Sequence, residues 1–494
     1  MPRARPAAST RALLRRLRPP GGLAALLGIA AIVGLCWALT VPPWQSPDEL
    51  SQYAYVESLA TSFRLPGNAH REIFSDDEST AITSVDASTG ALNPATVPPS
   101  WSRGGYDAYL HNPAARRYST RADGGGPSSA DGNPPLYYLL GTVGYLLDPG
   151  GTAYGRLYGI RLEGTIFLLL TTLGAWLLAG ETFGRRRPAQ LASAAVAVLL
   201  PMTAFISTSV NPDALIITEW TFALWMAARI VNRAARTRDV AWMCALVAAA
   251  ILTKDNSYAL IPPEALAVAI GLARRPAGSR VRALPRLGAT ALLAVVPVGI
   301  WLSVSRSIGG TAIAQVSTAG RPFNVRQFVS YLWQFYLPRL PFMHSFRLVA
   351  GTPAVTVWVK EGAGDFGWLD VPLPSWMLEL AEALVGVLTL ASIWLLARLR
   401  GTWRLGLLAV DQLALISLLV LLHVTEYRQT LGGGGAFLQG RYILPVVSLL
   451  GLAVGLILTR LPRPARGPAM ALVFVGLLAG QALSLATVLH AYYL

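Results

Sequence analysis

The sequence predicts an all-α polytopic membrane protein of about 11 transmembrane helices. A long first outer loop is expected to carry interfacial helices. Three observations carry this. Of 494 residues, 53% are hydrophobic and 14% charged, with mean hydropathy +0.47, whereas a soluble chain carries roughly a quarter charged residues. Several apolar runs reach about 20 residues, the length that crosses a bilayer as a helix. More than half of the 41 Lys and Arg fall in short segments between those runs, at 3–18, 185–187, 229–238, 274–286, 398–404 and 460–466. Acidic residues are scarce there, and the positive-inside rule reads such segments as cytoplasmic. Topology thus accounts for the net charge of +15 and leaves no need for a nucleic-acid partner.

Residues 1–20 form a cytoplasmic Arg-rich N-terminus, and 21–494 a single integral membrane domain. The run 21–41 reads as an uncleaved span with the N-terminus inside, because no small-x-small cleavage site follows. Residues from 42 then emerge outside, in a loop reaching to about 157 whose first part, 42–132, is rich in Gly, Pro, Ser and Asp. Within it, 47–62 has apolar residues spaced for a short helix in the interface, and 123–135 reads as a flexible stretch. The run 134–147 is too short to cross and would invert every later Arg cluster if it did, so it is expected as an interfacial or re-entrant helix. Further spans are expected at 158–181, 189–208, 213–232, 239–253, 257–273, 287–305, 376–397, 405–424, 441–459 and 467–489. Outer loops fall at about 306–375 and 425–440, the last holding the Gly432–Gly435 run. Cys36 and Cys244 both sit in apolar runs, which excludes a disulfide framework.

This topology collects polar groups at the outer face. Asp48 and Glu49 follow the first span behind Pro42, Pro43 and Pro47; Asn211-Pro212-Asp213 opens a span; Lys254-Asp255 ends one; Gln439-Gly440-Arg441 begins another. Arg161 and Glu163 lie near the outer end of theirs. Ionisable residues at membrane depth are costly and face a cavity or a partner. Taken singly, Asp213 reads as a carboxylate at a helix start, and Lys254 and Arg441 as cations snorkelling to the headgroups. Asp48 and Glu49 read as functional, because the prolines stiffen their approach. Taken together, carboxylates facing Arg and Lys suit an anionic phosphate donor and an acceptor that needs deprotonation. No Walker A, HExxH, GxSxG or flanked GxGxxG is present. His70, His111, His344, His423 and His490 have no ligand spacing. No cofactor is assigned, and a divalent ion held by Asp48 and Glu49 with donor phosphates stays open.

At these residues the sequence resembles the GT-C superfamily of membrane glycosyltransferases, which use polyprenyl-phosphate-linked sugars and carry a catalytic Asp in the first outer loop. "PPWQSPDELSQYAYVESLA" resembles the P-DE-x-x-H-F/Y-x-Y signature of the domain-of-unknown-function 2142 family. Here Ser51-Gln52-Tyr53 replaces the segment with the His, so no role for that His carries over. "GNPPLYYLL" is similar to the HPPLYY motif of the aminoarabinose and protein O-mannosyl transferases, with Asn133 in the His position and Tyr137 following. "SVNPDALIITEW", "LTKDN", "DFGWLDVPLP" and "LQGRYILPVV" resemble four further stretches, in family order.

The resemblance implies a plasma-membrane glycosyltransferase with its site on the outer face. It would move a sugar from a polyprenyl-phosphate donor to a cell-envelope glycan, lipid or protein by inverting single displacement. Asp48 would serve as base, with Glu49 tuning it as a second catalytic carboxylate. Lys254, Arg441 and, more weakly, Arg161 would hold the donor phosphate, and Asp213, Asn133 and Tyr137 would complete the substrate site. A transporter or flippase of lipid-linked saccharides, or an inactive scaffold relative, is the alternative. The absence of evident inverted repeats stands against the transporter.

Overall fold

The computed structural model describes residues 20–87, 100–112, 123–148, 151–184, 186–307, 322–343, 353–398, 402–431 and 438–494. The basic stretch 3–18 and Gly432–Gly435 lie outside the described residues. Helix α1, Gly21–Thr40, is apolar along its length and passes into extended backbone at Val41. Pro42 and Pro43 bar a further helical turn, since proline lacks the N–H and disfavours helix in the residue before it.

Among the described residues, the long loop that follows builds four short helices. α2 is Glu49–Ser62. α3, Asp76–Ser84, is capped by Ser75 Oγ and holds three carboxylates in its first turn, where the helix dipole favours them. α4, Arg103–Leu110, is capped by Ser102. α5, Leu136–Tyr145, has ten residues, about 15 Å of helix, so it does not cross. α2 stands beside the end of the first span as expected, yet it is enclosed rather than resting on lipid, with nearly every residue from Glu49 to Leu59 buried. Tyr55 stacks on Tyr138 of α5 at 3.7 Å, and Tyr53 and Tyr145 pack at 5.9 Å.

The glycine run at 124–126, expected to be flexible, is instead close-packed. Gly125 N–H donates to Ile73 O, Gly126 N–H to Glu72 O, and Gly67 N–H to Gly125 O. A Cβ on Gly124 would lie 2.7 Å from Ser75 N, and one on Gly126 2.2 Å from Arg71 O. These glycines permit backbones to touch, which composition alone reads as looseness.

The membrane part continues with α6 (Ala153–Phe183), α7 (Arg187–Leu199), α8 (Pro201–Ser207), α9 (Asp213–Arg233), α10 (Thr237–Thr253) and α11 (Ile261–Ala273). Then come α12 (Ala277–Ser307), α13 (Val325–Tyr336), α14 (Ser375–Leu396), α15 (Thr402–Leu431), α16 (Val447–Arg460) and α17 (Arg463–Tyr493). Among the described residues, eight segments are long and apolar enough to cross a membrane, and the pair α7–α8, bent by 62° at Pro201, makes a ninth. α10 and α11, at 17 and 13 residues, occupy the two remaining expected positions. α6 packs along α9, α1 and α7 at the centre, while α7 lies on α16 and α10 on α12.

The segment between α13 and α14 reaches the same end of the bundle. A two-stranded hairpin, β1 (Asp365–Phe366) with β2 (Val371–Pro372), drives the buried Phe366 between Trp37 of α1 and Phe205 of α8, at 4.8 and 5.5 Å. Trp368 in its turn donates Nε1–H to Trp44 O at 3.0 Å. The hairpin therefore ties this segment to the stretch just before Asp48.

Candidate active site

Asp48 is the N-cap of α2, yet its side chain makes no capping hydrogen bond. Its backbone is left-handed, φ 60° and ψ 8°, a conformation that costs a non-glycine residue about 1–2 kcal/mol and that Asp tolerates better than most. Such strain persists where surrounding structure holds it, and here the holders are visible. Glu49 is fully buried and accepts four hydrogen bonds. Two come from Arg161, Nε to Oε1 at 2.8 Å and Nη2 to Oε2 at 2.5 Å. Trp44 N–H donates to Oε2 at 3.0 Å and Val210 N–H to Oε1 at 3.3 Å. Arg161 also donates to the carbonyls of Val41 and Pro42. From the other side, Asn211 Nδ2 donates to Pro47 O at 3.2 Å.

The same turn brings four charged side chains from four elements together. Arg441 Nη2 lies 2.5 Å from Asp48 Oδ2, Arg441 Nε lies 3.8 Å from Asp213 Oδ2, and Lys254 Nζ lies 2.6 Å from Asp213 Oδ1. Tyr442 underlies both cations, its ring centre 4.8 Å from Lys254 Nζ and 5.3 Å from Arg441 Cζ. Asp48 is 36% exposed and Lys254 20%, against 4% for Arg441 and 1% for Asp213. Arg441 Nε and Nη1 are buried without a hydrogen-bond acceptor among the described residues. An unfilled buried donor costs about 1–3 kcal/mol and calls for a ligand or water.

Both cations sit where a helix breaks. α10 ends at Thr253, Lys254 is extended, and a 3₁₀ segment, Asp255–Leu260, precedes α11. Arg441 lies in a second 3₁₀ segment, Gly440–Val446, that leads into α16 with Pro445 inside it. Short 3₁₀ stretches are frequent at helix ends and as connectors, and here each leaves its cation facing the carboxylates.

The readings of single residues therefore change. Asp213 is not a cap, because Asn211 Oδ1 takes the Asp213 N–H at 2.9 Å and leaves its carboxylate to the cations. Lys254 and Arg441 do not snorkel; they turn inward to the carboxylates. Arg161, expected as a weaker phosphate ligand, is committed to Glu49 and to the backbone carbonyls of Ala38, Val41 and Pro42. Glu49, expected to tune Asp48 or to share a metal with it, accepts hydrogen bonds on both of its oxygens. Among the described residues, no three His, Cys, Asp or Glu side chains converge as metal ligands.

Tyr137 and Asn133, expected against substrate, stand behind the turn. Tyr137 Oη accepts the Asn211 N–H at 2.8 Å, and Asn133 Nδ2 donates to Tyr138 Oη at 2.8 Å.

Glu361 escaped sequence reasoning. Its Oε2 accepts the N–H of Gly440, the neighbour of Arg441, at 2.9 Å. Burial pushes its carboxyl up to about 7, against the pull of that hydrogen bond and of Arg441. A lone Glu in a polar loop carries no pattern that would single it out. Gly440 gave a faint signal as part of "QGRY", and its reason is steric, since a Cβ there would lie 2.3 Å from Gly362 N and 2.5 Å from Val357 O.

The sequence profile described as "Predicted membrane protein (DUF2142)" matches residues 31–450. No curated protein matches at a significant level. Among solved structures, the chain is similar to ArnT from Cupriavidus metallidurans bound to undecaprenyl phosphate, with 16% identity over 96% of this chain and 76% of that one and a TM-score of 0.48. The Archaeoglobus fulgidus oligosaccharyltransferase in its apo form shows 12% identity over 94% of this chain and 56% of that one, TM-score 0.44. Arabinosyltransferase EmbB from Mycobacterium smegmatis shows 15% identity over all of this chain and 42% of that one, TM-score 0.38.

Proposed function

The chain belongs to the DUF2142 family of membrane proteins, and from that premise we propose that it is a glycosyltransferase of the membrane's outer face. It moves a sugar from a polyprenyl-phosphate donor to an extracytoplasmic acceptor, a cell-envelope glycan, lipid or protein. The observation that carries this is the pairing of a part-exposed carboxylate without capping duty, Asp48, with a buried guanidinium that has open donors, Arg441.

The chemistry follows from charge. Two carboxylates and two cations balance one another in the cluster. A donor phosphate entering at Arg441 Nη1, on the edge shared with Nη2, competes with Asp48 for the guanidinium and frees that carboxylate for the acceptor hydroxyl. Asp213 keeps Arg441 and Lys254 side by side while this happens. The acceptor oxygen bonds to the anomeric carbon, its proton passes to Asp48, and the bond from that carbon to the phosphate oxygen breaks with the electron pair leaving on the phosphate. One displacement inverts the anomeric centre. The Glu49–Arg161 pair acts as a positioning clamp on the turn.

The face is argued from the helices. Asp48, Asp213, Lys254 and Arg441 lie at one end of their spans, while Arg186, Arg233, Arg274 and Arg460 lie at the other ends of theirs. The positive-inside rule makes that second end cytoplasmic, with the N-terminus on the same side.

The test is release of free polyprenyl phosphate from a panel of polyprenyl-phosphate sugars by protein in lipid, wild type beside Asp48→Asn. Release with one donor, lost in the variant while donor binding persists, is the expected result. Lipid-linked saccharide crossing the bilayer at equal rates in both proteins, with no release, would replace this reading with a flippase.

A further inference from the structure

A second site lies at the far end of the bundle. A half-open cleft of about 990 Å³ is formed by the ends of α6, α9, α14, α15 and α16. From Arg161 to Glu181 the α6 axis rises about 30 Å, so this cleft opens on the membrane face opposite Asp48. Its wall is aliphatic, with Leu396 of α14, Leu407 and Leu408 of α15, and Leu452 and Leu456 of α16.

Its rim is basic. Arg186, Arg233, Arg274, Arg404 and Arg460 converge from five separate segments of the chain, and all five are exposed. Glu181 offsets part of this charge, lying 2.5 Å from Arg233 Nη2. Asp411, the other lining carboxylate, stands two helical turns beyond Arg404, about 10 Å deeper. The rim keeps a clear positive excess.

Loops at this face need basic residues for topology, but topology does not require them to ring a cavity. A solvated Arg face would also lack the leucine wall beneath it. Charge above and aliphatic wall below, at the depth where headgroup meets acyl chain, describe a lipid. We propose that this cleft binds an anionic glycerophospholipid of the inner leaflet, with its phosphate among the rim arginines and an acyl chain along Leu407, Leu452 and Leu456. The anionic lipids of that leaflet attract each juxtamembrane arginine by about 1 kcal/mol, close to a fivefold preference per arginine.

The test reconstitutes the full chain in nanodiscs of phosphatidylcholine doped with phosphatidylglycerol, reading retained lipid by native mass spectrometry and Tm. Wild type retains phosphatidylglycerol preferentially and gains Tm from it. Arg186→Gln and Arg460→Gln each lower that preference about fivefold, and together by on the order of 25-fold. Inorganic phosphate leaves Tm unchanged. Equal retention of the two lipids by wild type overturns the proposal, as does a preference that survives both substitutions. A Tm gain reproduced by inorganic phosphate overturns the lipid assignment. If the double variant does not fold, raised salt on wild type decides, because rim-charge binding weakens with ionic strength and a salt-independent preference refutes it.

Discussion

Removing Arg161 tests whether the DE turn is held as described. Arg161→Met leaves Glu49 in a dry site with only the Trp44 and Val210 N–H groups, at 3.0 and 3.3 Å. It also strips the Val41 carbonyl of its Arg161 donor and leaves the Pro42 carbonyl with only the Gln45 N–H at 3.3 Å. Losing one partner of a buried ion pair costs about 3–5 kcal/mol, mostly from the charge left behind. Glu49→Gln should cost a similar amount by stranding the guanidinium. Combined, the two substitutions leave no buried charge, so the double variant should lose about 2–4 kcal/mol less than the sum of the singles. The assay is the unfolding free energy in mixed SDS micelles for wild type, both singles and the double. A loss below about 1 kcal/mol for Arg161→Met, or strict additivity, would refute the clamp. So would a Glu49→Gln protein of full stability and no turnover, which would place Glu49 in the chemistry itself.

Gly440→Ala should destabilise by about 1–3 kcal/mol and cut donor turnover, because a methyl group would press on backbone atoms of Gly362 and Val357 and shift Arg441; thermal unfolding and polyprenyl-phosphate release check it. Burial, with Asp77 adding, raises the Glu57 carboxyl of α2 to about 7 over the opposing Ser75, Tyr145 and Arg156. The folded chain thus keeps a proton that the unfolded chain loses, and stability falls as pH rises from about 4.5 to about 7 and levels above. Glu57→Gln should flatten that slope in a Tm-against-pH series by on the order of 1–3 kcal/mol. Trp368→Phe removes the hydrogen bond to Trp44 O and keeps the ring. It should lower turnover several-fold with stability within about 1.5 kcal/mol of wild type, measured by the same release assay.

Most spans were legible because twenty apolar residues bounded by arginine admit one reading in a bilayer, as for 21–41 against Gly21–Thr40. The DE turn stood out as a candidate in the sequence too, since three prolines and two adjacent carboxylates follow directly on a span. What each carboxylate does was not legible. Asp48 and Glu49 are neighbours with the same charge, yet one is part-exposed beside Arg441 and the other is sealed against Arg161, 112 positions away. That division depends on a left-handed backbone at Asp48 and on where α6 packs, neither of which local sequence encodes. Asp213 likewise read as a cap until Lys254 and Arg441 met it from two other elements. The glycines at 124–126 read as slack because composition cannot distinguish glycine chosen for freedom from glycine chosen for contact. The sequence by itself determined the membrane class, most of the spans and which polar groups share a face, because hydropathy and charge act along the chain. The tertiary structure alone decided which of those groups are partners, because distance between residues far apart in sequence is set by packing.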